Sequence, residues 1–194
     1  MHAHIIYAHP NANSFTHEVL QSFIRGLEDA GLSYTISDLY AMGFNPLLSS
    51  EEYAREHNYR EDDPLPADVL AEHIKLEQAD VWAFIYPVWW TDCPAILKGW
   101  FDRIWTVGFA YHPQTVRPAQ KALVICTAGH TLEHLQEIGC YQAMKTTMLV
   151  DRIFERAESK EFILLGSSEQ LQGDAWQQQK ALHLQTVYQA GANL

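Results

Sequence analysis

Three short stretches hold the residues able to do chemistry, and each follows an apolar run. The first is His9-Pro10-Asn11-Ala12-Asn13-Ser14-Phe15-Thr16. Hydroxyl and amide side chains just ahead of a helix can cap it, or bind a phosphate beside its free N–H groups. Both readings stay open for this loop, and Glu18 suits the helix dipole but opposes an anion. The second stretch is Pro87-Val88-Trp89-Trp90-Thr91-Asp92-Cys93-Pro94. Neighbouring side chains of an extended segment point opposite ways, so one indole is expected in the core and the other free as an aromatic wall. A flat conjugated ligand would stack on that wall. The competing reading puts both indoles in core or dimer contacts. The third stretch is Thr127-Ala128-Gly129-His130. Gly129 lets backbone approach a ligand closely, and N–H groups there could donate to a ring carbonyl. A plain turn is the alternative.

Other chemistries find little support. Neither GxGxxG nor GxxxxGK[ST] is present, so no nucleotide fingerprint applies. The ten histidines include no HExxH or comparable ligand spacing, and no metal is assigned. Cys93, Cys126 and Cys140 form no CxxC pair, and an odd count makes a poor disulfide framework. A formal net charge of −11 argues against nucleic acid, whose phosphates need Lys and Arg. The same charge requires that any anionic cofactor be held by backbone N–H groups and a helix N-terminus. No window approaches the ~20 apolar residues of a membrane span, and Met1-His2-Ala3-His4 lacks a signal peptide's basic and apolar regions. A cytoplasmic protein without direct membrane insertion is expected.

The elements that must position these loops alternate in type. Strand runs are expected at 4–8, 34–37, 81–86, 122–126 and 162–165. The run Val81 to Tyr86 is almost wholly apolar, as in a strand covered on both faces. Val19, Leu20, Phe23, Ile24 and Leu27 recur at helical spacing, with Gly31 as C-cap. Further helices are expected over 66–79, after Pro94 at a first helical position, once or twice within 128–156, and over 174–189. An irregular excursion from Asp38 to Leu65 holds a short helix capped by Ser49 or Ser50. Five βα units predict one α/β domain over 1–194, a five-stranded parallel sheet of order 2-1-3-4-5 with helices on both faces. Ligands of such sheets bind beyond the carboxyl ends of the central strands, where the three loops begin.

In order and spacing, the chain from about Ile5 to Thr127 resembles the NAD(P)H:quinone oxidoreductase family of flavodoxin-like fold. The matching pieces are His9-Pro10 with Ser14-Phe15, Ser37-Asp38-Leu39-Tyr40-Ala41-Met42 with Phe44-Asn45-Pro46, the run Pro94-Ala95-Ile96-Leu97-Lys98-Gly99-Trp100-Phe101-Asp102-Arg103, and Gly108-Phe109-Ala110-Tyr111. The resemblance implies a flavin, with NAD(P)H as electron donor. His9, Asn13, Ser14, Phe15 and Thr16 match the part that holds its phosphates. Pro87, Val88, Trp89, Trp90 and Thr91 match the part flanking the ring. Thr127, Ala128, Gly129 and His130 match the third contact. Family members are dimers, so Tyr111 would face the partner's flavin, and Trp90 and Tyr111 would sandwich the substrate.

The chain departs from that pattern in three places. The family has two glycines after the threonine, whereas here Ala128 stands first, and its methyl could crowd the ring. His134 falls where the family has a tyrosine that stabilises charge; it is the candidate acid. The C-terminal region is shorter than in the animal enzymes. Asn58-Tyr59 resembles a segment reaching the partner's adenine, which favours FAD over FMN. The implied activity is ping-pong hydride transfer to quinones or similar acceptors. The alternative implied by the same pattern is a flavin-binding regulatory subunit of a potassium-efflux transporter.

Overall fold

The computed structural model describes all 194 residues. Five strands, β1 (His2–Tyr7), β2 (Ser33–Asp38), β3 (Val81–Pro87), β4 (Ala119–Thr127) and β5 (Ala157–Leu165), form one sheet of order β2-β1-β3-β4-β5. Every pairing is parallel, as the flavodoxin-like expectation required. The helices are α1 (Phe15–Asp29), α2 (Ser50–His57), α3 (Ala67–Gln78), α4 (Ala95–Ile104), α5 (Leu132–Glu137), α6 (Cys140–Thr146) and α7 (Gly173–Ala192). A π-helical turn, Thr147–Arg152, continues α6. β4 and β5 are longer than their apolar runs, because each opens with polar, mostly exposed residues.

The period-two geometry of strands divides the core. Ile5, Ala83, Ile85, Leu123 and Ile125 face Val19, Phe23 and Leu27 of α1 and Val187 of α7. Ile6, Trp82, Phe84, Val124 and Cys126 face Leu76 of α3, Leu97 and Trp100 of α4, and Met148. All seven residues of β3 are buried, which accounts for its unbroken apolar run.

Local chemistry sets the helix ends. α1 stops at Gly31, whose φ of 70° lets Leu32 N–H reach Leu27 O at 2.9 Å. Ser49 and Glu52 form a reciprocal capping box at the start of α2. Pro94 stands one residue ahead of α4, at the cap. Two glycines mark backbone approach. A Cβ on Gly99 would lie 2.2 Å from Pro46 O, so the Asn45-Pro46 and Lys98-Gly99-Trp100 pieces of the family pattern pack on each other. A Cβ on Gly26 would lie 2.2 Å from Tyr188 O, where α7 crosses α1.

One buried polar cluster ties β1, β2, α3 and α4 together. Glu72, fully buried, accepts from Ser37 Oγ at 2.8 Å, from Trp100 Nε1 at 2.9 Å and from Lys75 Nζ at 2.5 Å. His4 Nε2 lies 3.7 Å from its other oxygen. Burial opposes ionisation of Glu72, but the nearby His4 ring and the hydrogen bonds from Lys75, Trp100 and Ser37 outweigh it and hold the carboxyl at about 2.

Candidate active site

The register of the sheet brings the three loops together. Ala8 N–H donates to Ile85 O at 3.1 Å, Val88 N–H to Thr127 O at 2.8 Å, and Ala128 N–H to Leu165 O at 2.9 Å. A side-chain bond closes the group: Thr16 Oγ1 and Thr127 Oγ1 are 2.8 Å apart and buried, joining the start of α1 to the end of β4.

In the first loop, His9 Nδ1 accepts the Asn11 N–H at 3.0 Å, and burial lowers the histidine's pKa. Asn13, exposed, is held by its N–H on Asn11 Oδ1 at 2.8 Å. Ser14 is the N-cap, its Oγ accepting from His17 N–H at 3.1 Å. Phe15 turns its ring against Trp176 of α7, centroids 5.0 Å apart, so its side chain packs while its main chain stays at the helix start. The charge objection raised by Glu18 is met by Lys180 Nζ, 2.6 Å away.

The second loop corrects an expectation. Neither indole enters the core. Trp89 is 41% exposed, near the His9 ring at 6.4 Å between centroids, and Trp90 is wholly exposed. The reason is a tight turn: Trp89 N–H donates to Asp92 O at 2.9 Å and Asp92 N–H to Trp89 O at 3.2 Å. Trp90 and Thr91 occupy it at φ of 53° and 62°, a region that bulky and β-branched residues disfavour. Pro87 and Val88 complete the strand end beneath this turn, Pro87 buried and Val88 half-buried.

The third loop supplies donors. The N–H groups of Gly129 and His130 make no hydrogen bond within the chain. Ala128 packs its methyl with Leu135 and Met144 of α5 and α6. A Cβ on Gly129 would lie 2.7 Å from the Glu169 carboxylate, so any side chain there would displace that exposed glutamate. His130, exposed, and His134, half-buried, have ring centroids 5.0 Å apart, and the His134 N–H is capped by Thr131 Oγ1 at 3.2 Å. Tyr111 lies apart from this group. It donates to Glu56 Oε2 of α2 at 2.7 Å, and burial, then Glu56, holds the phenol well above its usual range.

Sequence reasoning missed three features. Arg152, on the π-helical turn, pairs with Asp92 through both oxygens at 2.7 and 3.0 Å. Tyr7, 1% exposed, has a hydroxyl with no partner, and burial pushes it up to about 12. It lines a cavity of about 340 Å³ with His9, His17, Asp38 and Tyr40. Glu169, from the segment after β5, covers Gly129. Asp92 was in view as a loop residue, but nothing in the sequence connected it to position 152.

The profile of the flavodoxin-like fold family matches residues 1–158. A solved NAD(P)H:quinone oxidoreductase from Methanothermobacter marburgensis is 44% identical, covers 100% of this chain and 95% of its own, and superposes with a TM-score of 0.93. The chain belongs to the NAD(P)H:quinone oxidoreductase family. Membership makes it an oxidoreductase. An uncharacterized NAD(P)H oxidoreductase of Haemophilus influenzae is 32% identical over 84% of this chain and 82% of that protein. The rat NAD(P)H dehydrogenase [quinone] 1 is 38% identical over 55% of this chain but only 44% of its own length. No helix of the chain is long and apolar enough to cross a membrane.

Proposed function

We propose that the chain reduces quinones or similar flat acceptors with NAD(P)H, through a flavin lying across the three loops. The observation that carries this reading is the pair of unbonded N–H groups at Gly129 and His130. They stand at the end of β4, tied through Thr127 to the start of α1 and through Val88 to the loop bearing the exposed indoles. Ring-carbonyl donors, a helix N-terminus and aromatic walls are the parts a flavin requires, and no Lys or Arg stands in the loops to do the work instead. When bound, the flavin supplies the carrier that takes hydride from NAD(P)H and returns it to the acceptor in a ping-pong sequence.

The chain's own residues orient and stabilise. The first turn of α1, with Ser14 and Thr16, meets the phosphates. The N–H groups of Gly129 and His130 would hold the ring edge and offer donors to negative charge there, as an oxyanion hole does. Trp90 supplies one wall for the acceptor. Tyr111, remote from these loops in its own protomer, acts across a homodimer as a donor kept protonated by its environment. His134 serves as the proton source beside the third loop. Asn58 and Tyr59, exposed at the end of α2, favour FAD over FMN.

The test is a visible spectrum of the purified protein, mass analysis of any released chromophore, and steady-state oxidation of NADH and NADPH with menadione. Flavin absorbance with turnover supports the reading. Protein that neither carries nor takes up flavin overturns it. Bound flavin with negligible turnover replaces it by the regulatory-subunit alternative.

A further inference from the structure

We propose that Arg152 is a positioning residue for the acceptor site: through Asp92 it holds the Trp89–Asp92 turn in its left-handed conformation, and so sets where the Trp90 indole stands. This rests on the reading of that loop as a wall of the redox site.

The Trp90 side chain is wholly exposed, so within the chain only its backbone and its rotamer preferences direct it. That backbone is not self-supporting. A two-residue turn with both central φ positive is normally built from Asn-Gly or Gly-Gly. Here the two positions hold an aromatic and a β-branched residue. Such a conformation persists only where the surroundings over-determine it.

Two ties from one segment provide the restraint. Arg152 Nη1 and Nη2 donate to Asp92 Oδ1 and Oδ2 at 2.7 and 3.0 Å, a bidentate fork that fixes direction as well as distance. Asp92 Oδ1 also accepts the Cys93 N–H at 2.7 Å, locking the residue that closes the turn. Thr91 Oγ1 donates to Cys140 Sγ of α6 at 3.3 Å. Arg152 is itself immobilised. It is 6% exposed, its guanidinium lies 5.3 Å from the Phe101 ring centroid, and its carbonyl accepts from Trp105 Nε1 at 2.6 Å. The π-helical winding matters here, since Ile153 N–H reaches back five residues to Met148 O at 2.9 Å.

The test compares wild-type holoenzyme with Arg152→Met, Arg152→Lys and Arg152→Met/Thr91→Gly. Arg152→Met is expected to keep bound flavin, raise the KM for menadione about tenfold and change kcat less than threefold. Lysine, a point charge without the planar fork, recovers only part of the loss. Adding Thr91→Gly restores part of the KM, because glycine accepts positive φ unaided, although the bond to Cys140 goes with the hydroxyl. A readout independent of turnover is the fluorescence anisotropy of Trp90 in flavin-free protein, taken as the difference from Trp90→Phe. It falls in Arg152→Met and recovers with glycine. If Arg152→Met does not fold, Asp92→Asn carries the test, with a KM rise of about threefold. An unchanged KM and anisotropy, or a loss that glycine does not repair, overturns the proposal. Wild-type protein without flavin or turnover defeats the reading of the site instead, so the two failures are distinguishable.

Discussion

Replacing Glu72 with alanine removes the acceptor on which side chains from β1, β2, α3 and α4 converge. The Trp100 indole N–H and the Ser37 hydroxyl would lose their carboxylate partner in the core, and Lys75 would lose its counter-charge. Breaking a buried ion pair from one side typically costs about 3–5 kcal/mol. That is a large part of a stability of about 5–15 kcal/mol. With a urea slope of about 2 kcal/mol per M, the midpoint should fall by about 2 M at pH 7. The pH dependence gives a second arm. The folded carboxyl titrates at about 2, below its ordinary 4.5. Its stabilisation is therefore complete above about 4.5 and is lost as pH falls toward 2. His4 acts earlier: burial lowers its pKa below 6.5, so the unfolded chain takes its proton first and stability starts to decline below that value. Urea unfolding followed by circular dichroism from pH 7 to pH 2 should show the steep limb below 4.5 in wild type and its flattening in the variant. A midpoint shift under about 0.5 M, or an unchanged acid limb, would refute the idea that this cluster is fully engaged.

Other substitutions test the packing and the loops. Gly99→Ala gains about 1 kcal/mol of helix propensity but drives a methyl into Pro46, and overpacking of that kind costs about 1–3 kcal/mol; thermal unfolding should show a net loss. Tyr7→Phe deletes a buried hydroxyl without a partner, so stability in thermal unfolding should hold or rise, by about 1 kcal/mol at most. A fall would reveal an acceptor for that hydroxyl. Ser14→Ala removes the α1 cap, at about 1 kcal/mol in urea unfolding, and should also weaken flavin retention measured by equilibrium dialysis.

The sheet was legible because its central strands are buried on both faces: Val81 to Tyr86 could hardly be anything else, and the helical stripe from Val19 to Leu27 packs on one face of that sheet. The three loops were legible as strand ends, since alternation of elements fixes where carboxyl ends fall. The indoles were misjudged because strand alternation was extended into a turn. A pair of positive φ values carries no signature when neither residue is glycine. Arg152 and Glu72 were illegible for a common reason. Their partners lie 60 and 28 positions away, and a charged residue at helical spacing looks like any solvated one until the fold turns it inward. Glu169 is an exposed turn residue, and only the fold brings it over Gly129.

The wide winding of Thr147–Arg152 makes chain length itself part of the design. Each residue of a regular helix advances its side chain by about 100°. Excising the exposed Val150 would tighten the coil and swing the guanidinium a quarter-turn or more off its mark. The sheet and both hydrophobic layers would survive that edit, while an indole on the opposite side of the carboxylate came loose. In this architecture a distant gap can detune a surface that no local change has touched.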